Sequence, residues 1–92
     1  AIVYVIGGFT GSDWATAIPL EKQSNGTYTG TIFGQPGAGY KYRLSESDWS
    51  SEEKVIVTEG ETQTMGNKKD RSLPTGAAVN DVVEIWSTCT LE

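Results

Sequence analysis

The sequence predicts an all-β chain, folded as an immunoglobulin-like antiparallel β-sandwich of about seven strands. Three observations lead there. Short runs rich in β-branched and aromatic residues recur along the chain, with turn signals between them roughly every 8–12 residues. The 92 residues include 11 Gly and 3 Pro, a turn-rich composition for one small domain. The one helical signal, a capping-box pattern at Ser50 and Glu53, runs straight into the β-branched stretch 55–58, so at most one helical turn fits.

The elements follow in order. Residues 1–6 read AIVYVI and stop at Gly7-Gly8, as a buried strand ending in a loop does. Residues 18–23 and 27–33 flank Asn25-Gly26, a pair that accepts turn geometry cheaply and predicts a hairpin. Asn25-Gly26-Thr27 also matches a glycosylation sequon, for which the turn is the better reading. After the break at Gly37-Ala38-Gly39, residues 40–44 alternate. Tyr40, Tyr42 and Leu44 share one side, while Lys41 and Arg43 share the other and are expected to point outward. Residues 55–58 and 62–65 around Gly60 predict a second hairpin. Residues 66–80, polar and holding Pro74 and Gly76, predict a loop, and 82–90 a last strand.

Composition excludes several functions. Twelve acidic residues against seven basic ones give a net charge of −5, and no basic block exceeds Lys68, Lys69 and Arg71, so nucleic acid is not an expected partner. With no His and a single Cys, Cys89, the chain has no His-based triad, zinc cluster or intramolecular disulfide, and neither cofactor nor metal is expected. Cys89 in the last strand is expected to act as a small apolar residue if it faces inward. No apolar run approaches the ~20 residues of a membrane span. Gly7-Gly8 and Gly11 lack the spacing of a phosphate-cradling loop. Asp13, Glu46 and Asp48 are the candidates for a glycosidase pair, yet all sit in Ser/Gly-rich loops where solvated carboxylates are the simpler reading. Asp48, Glu52 and Glu53 lack the alternating oxygen-ligand pattern of an EF-type calcium loop.

The tryptophans are more informative. Trp14 lies beside Ser12-Asp13 and Trp49 between Asp48 and Ser50, polar surroundings that offer no local apolar face. An exposed indole suits the apolar face of a sugar ring, with neighbouring polar side chains orienting the hydroxyls. The alternative is that one or both fold back over the core as loop anchors. Trp86, within Val82-Val83-Glu84-Ile85-Trp86, reads as core or sheet surface.

The order of these features resembles the starch-binding modules of carbohydrate-binding families 20 and 48, and the related domains of Sus-type starch-binding proteins on bacterial outer membranes. Tyr4-Val5-Ile6-Gly7-Gly8-Phe9 leading into Gly11-Ser12-Asp13-Trp14 is similar to the family's strand, Gly and Trp. Gly37-Ala38-Gly39-Tyr40-Lys41-Tyr42 looks like its glycine turn and Tyr-Lys-Phe strand, and Asp48-Trp49-Ser50 stands where it carries a second stacking Trp. Two features depart from the family: Ser51-Glu52-Glu53-Lys54 replaces its Asn-Arg pair, and the loop between Lys41 and Trp49 is short. The resemblance implies one ligand-binding surface formed by Trp14, Lys41 and Trp49. It further implies a non-catalytic module for starch-like α-glucan or another polysaccharide, monomeric, without membrane insertion of its own, and extracellular, at the cell surface or periplasmic. The expected organisation is a single domain over 1–90 with 91–92 a cloning remnant, excised from a larger parent. The rival expectation is a structural or spacer domain whose tryptophans pack against neighbouring domains of that parent.

Overall fold

The opening apolar run forms β1 (Tyr4–Gly7), which becomes the centre of the largest sheet because both of its edges find partners. In the computed structural model, which describes residues 2–76 and 78–89, it pairs antiparallel with β2 (Ile18–Pro19) on one side and β5 (Gly39–Arg43) on the other. β8 (Arg71–Ser72) completes this sheet beyond β5. A second sheet is the hairpin of β3 (Glu21–Lys22) and β4 (Tyr28–Thr29). The third places β6 (Glu53–Glu59) between β7 (Thr62–Asn67) and β9 (Ile85–Trp86). Every pairing is antiparallel, and the described residues contain nine strands and no helix. Ala1 of the opening run, Thr90 of the closing run and Leu91-Glu92, expected above to be a cloning remnant, lie outside the described residues.

Both predicted hairpins form, by different turns. Gln23 and Thr27 close a three-residue loop in which Gly26 N–H donates to the Gln23 carbonyl and Gly26 takes φ 88°. Asn25 Oδ1 braces it by accepting from Thr27 N and Oγ1 at 3.1 and 2.6 Å. Glu59 and Thr62 pair directly across Gly60-Glu61, with Gly60 at φ 62° in the first turn position, as a type II′ turn requires.

The β1–β5 register explains the two faces of the main sheet. Opposed residues share a face, so Val5 with Tyr42, and Gly7 with Tyr40, look one way, whereas Ile6 with Lys41, and Tyr4 with Arg43, look the other. On the first face Val5, Phe9 and Tyr40 form the core, with Ile18, Leu20, Ile32, Tyr42 and Leu73 packed against it. A cavity of about 1290 Å³ opens from this core, walled by Val3, Val5, Leu20, Tyr42, Leu73 and Trp86 among others. On the second face Ile6 is 1% exposed.

Several expectations change. The return strand expected over 27–33 pairs only at Tyr28–Thr29; the chain then leaves β3 so that Ile32 covers the core and Phe33 bridges Thr10. The stretch 66–80, expected to be loop throughout, contributes the end of β7 and all of β8. Among the described residues of the strand expected over 82–90, pairing is confined to Ile85–Trp86, and Val82 is 83% exposed. There the backbone is held by side chains rather than a ladder, through Asp81 and the Val82 carbonyl. Cys89 is exposed.

Candidate functional site

The loop after β1 is built around a buried hydroxyl. Ser12 Oγ accepts from Gly7 N at 3.1 Å and donates to the Thr16 carbonyl at 2.6 Å, satisfying backbone groups that the loop would otherwise bury unpaired. Phe9 O accepts from Ser12 N and Asp13 N, and Trp14 N–H donates back to Gly7 O at 2.8 Å. Closing the loop so tightly drives Asp13 and Trp14 to φ 48° and 58°. Left-handed backbone costs a non-glycine residue on the order of 1–2 kcal/mol, and strain of this kind concentrates at functional positions. The Trp14 indole settles over two glycines: Nε1 stands 3.3 Å from where a β-carbon on Gly8 would be, and Cζ2 the same distance from one on Gly39. Any side chain at either position would displace the ring.

The loop between β5 and β6 carries Trp49. Its base is pinned by the Arg43–Glu52 bridge and by Leu44 N–H donating to both the carbonyl and the hydroxyl oxygen of buried Ser51. Asp48 Oδ1 accepts from Ser50 N and Oγ at 3.0 and 2.6 Å, which holds the Asp48 carboxyl below its ordinary range. Ser87 Oγ, next to β9, ties down the Ser50 carbonyl at 2.7 Å. Glu53 therefore does not close a capping box; it turns inward to Arg71.

The two loops meet. The Trp14 and Trp49 ring centroids are 6.3 Å apart with their planes tilted by 37°, and the residues remain 39% and 41% exposed. Lys41 Nζ is 6.0 Å from the Trp49 ring centroid. Trp14, Lys41 and Trp49 thus gather on one face, from three separate stretches of chain. The expectation that Lys41 and Arg43 point into solvent needs correction: both occupy the predicted face, but the loops roof it. Lys41 keeps 12% of its side chain exposed, beside Glu52 at 3.6 Å, and Arg43 is 3% exposed. The Arg43 guanidinium stands 4.7 Å from the Trp49 ring centroid and donates at 2.7 Å to the carbonyls of Ser45 and Glu46.

Glu52 links this surface to β6. It receives Lys54 at 2.8 Å as well as Lys41. Partial burial pushes its carboxyl up, but the Lys54 hydrogen bond and the two ammonium charges outweigh burial and leave it below the ordinary value.

Sequence reasoning missed a second cluster, on the core face of β5. Tyr40 and Tyr42 hydroxyls both donate to Asp81 Oδ2, at 2.6 and 2.8 Å. Asp81 Oδ1 pairs with Arg71 at 3.2 Å, and Arg71 reaches the nearly inaccessible Glu53 at 3.0 Å. Burial, then the bond to Asp81 and its charge, push both phenols far above their ordinary value. The one available signal was that two inward tyrosines need a buried acceptor; nothing marked Asp81 as supplying it. No polar side-chain atom among the described buried residues is left unpartnered, so the cluster locks β5, β6, β8 and the segment before β9 together.

Comparison with known proteins returns no matching family model, no matching curated protein and no matching solved structure.

Proposed function

We propose that the chain is a non-catalytic carbohydrate-binding module that closes as an immunoglobulin-like β-sandwich and takes a starch-like α-glucan across Trp14 and Trp49. The observation that carries this reading is the pair itself: two part-exposed indoles, 6.3 Å apart and tilted by 37°, beside an ammonium group. Flat rings at that separation suit neighbouring sugar residues, and the tilt suits a chain that curves. Lys41 has three N–H donors, and among the described residues its one ion pair is the long 3.6 Å contact to Glu52, which leaves donor capacity for a hydroxyl. Each stacking indole contributes on the order of 1–2 kcal/mol, so affinity is weak and rests on avidity within a larger glycan-processing protein at or outside the cell surface.

The test is titration of maltoheptaose into isotopically labelled protein, following the indole N–H signals, beside a Trp49→Ala variant. Saturable shifts in two of the three indoles, lost in the variant, are expected; no shift at millimolar sugar sinks the α-glucan reading. A spacer domain is the second reading, and one observation favours it: Trp14 covers Gly8 and Gly39 while Trp49 covers Arg43, so anchoring alone accounts for where the rings sit.

A further inference from the structure

We propose that Arg43 is the positioning residue of this surface: its buried guanidinium fixes the height and tilt of Trp49 against Trp14 before any ligand arrives. The inference rests on reading the tryptophan pair as a sugar platform, and it assigns the device that holds the platform open.

Arg43 is 3% exposed, yet among the described residues no carboxylate lies within ion-pair distance of it. A buried charge with no carboxylate in direct contact, Asp48 acting on it only at longer range, is costly, so its remaining partners must stabilise it. Those partners all belong to one loop. Nε donates to Ser45 O and Nη2 to Glu46 O, both at 2.7 Å, the length of charge-assisted bonds. The guanidinium centre is 4.7 Å from the Trp49 ring centroid, within cation–π range. One planar group therefore grips the start of the loop with its edge and meets the indole further along it.

An apolar side chain would fill the same volume more cheaply but would not tie two carbonyls and an indole into one fixed relation. Lys would carry the charge without the fork or the plane. Arg43 also sits opposite Tyr4 in the β1–β5 ladder, so the grip is anchored in the most extensively paired part of the main sheet. A platform held this way binds without ordering a loop, which removes an entropic cost from a weak interaction.

The experiment compares Arg43→Met and Arg43→Lys with the parent protein, first without ligand and then with maltoheptaose. In the free variants the Trp49 indole N–H signal is expected to shift and broaden while the amide signals of β1 and β5 hold. Affinity should fall about fivefold to tenfold for Arg43→Met, and less for Arg43→Lys. An Asp81→Ala protein, destabilised at the far face, serves as control and should keep both the Trp49 signal and the affinity. Arg43→Met with an unmoved Trp49 signal and affinity within twofold of the parent overturns the proposal; if that variant does not fold, Arg43→Lys decides by the same readouts. If the parent itself binds no sugar, the platform reading falls, and the Trp49 signal in the free variants still decides whether Arg43 positions the ring.

Discussion

Trp14 and Gly39 are matched as ring and seat: Cζ2 of the indole lies 3.3 Å from the point where a Gly39 β-carbon would stand. A methyl there meets the ring closer than ordinary van der Waals contact, so Gly39→Ala should lift Trp14 by a few tenths of an ångström. Its φ is not left-handed, and removing a glycine also rigidifies the unfolded chain, so stability should change by less than about 1 kcal/mol. The expected outcome is a displaced Trp14 indole signal with a nearly unchanged melting temperature. Gly7→Ala is the contrast. Its methyl would run into the Gly39 carbonyl and the Tyr40 backbone, which cannot retreat without breaking the β1–β5 ladder, and should cost more than about 2 kcal/mol in urea unfolding.

Asp81 is the next test, because it accepts two phenols and one guanidinium at once. Removing a single acceptor strands several donors, and the cost of unsatisfied buried groups exceeds the net worth of each bond. Asp81→Ala should lose about 2–4 kcal/mol, against about 1 kcal/mol for Tyr40→Phe, which leaves the carboxylate bonded to Tyr42 and Arg71. Chemical unfolding of the two variants measures the difference; equal losses would show that the carboxylate is not the hub.

What was legible in the sequence was local. Alternation in residues 40–44 correctly sorted Tyr40 and Tyr42 from Lys41 and Arg43, because a strand allows only two sides. Asn25-Gly26 and Gly60 marked both hairpins for similar reasons. Solvent exposure was not legible: whether Arg43 meets water depends on a loop folding back over it, and Trp49 with the Ser45 and Glu46 carbonyls is what covers it. β8 was hidden because Arg71-Ser72 has no strand pattern. It pairs where Arg71 reaches Glu53 and Asp81, partners distant in sequence. The closing strand is shorter than its sequence predicts for the converse reason: Val82 and Val83 carry strand propensity, but Asp81 fixes the chain away from the ladder. For the candidate site, Trp14, Lys41 and Trp49 were each readable as residues in polar loops or on an outer face, whereas the glycine seat and the Arg43 support depend on tertiary contacts.

The two phenols predict an alkaline limit. Both folded-state values are raised above the ordinary 10.0, so the folded protein holds protons that the unfolded chain releases. Their contribution is complete below pH 10 and is lost as pH rises beyond it. Absorbance titration of tyrosinate should show the Tyr40 and Tyr42 phenols resisting ionisation until the protein unfolds, and Tyr40→Phe/Tyr42→Phe should flatten the fall in stability with pH. Ionisation of these two phenols with tertiary signals intact would mean that they are more accessible than their bonds to Asp81 imply.

Glu52 sets the corresponding acid dependence. Its folded value lies below the ordinary 4.5 because Lys54 and Lys41 outweigh the cost of partial burial. A depressed carboxyl stabilises the fold above its unfolded value and loses that contribution as pH falls through the folded one. The window therefore opens just below pH 4.5. With about a fifth of its side chain exposed, Glu52 is screened, and the contribution should stay under about 1 kcal/mol. Glu52→Gln should remove that part of the acid slope, and molar salt should shrink it in the parent protein but not in the variant. The same substitution releases Lys41 from its acidic neighbour without touching either tryptophan. If Lys41 serves the sugar surface through its N–H donors, maltoheptaose affinity in Glu52→Gln should hold or rise; a fall would mean that Glu52 is needed to aim the ammonium.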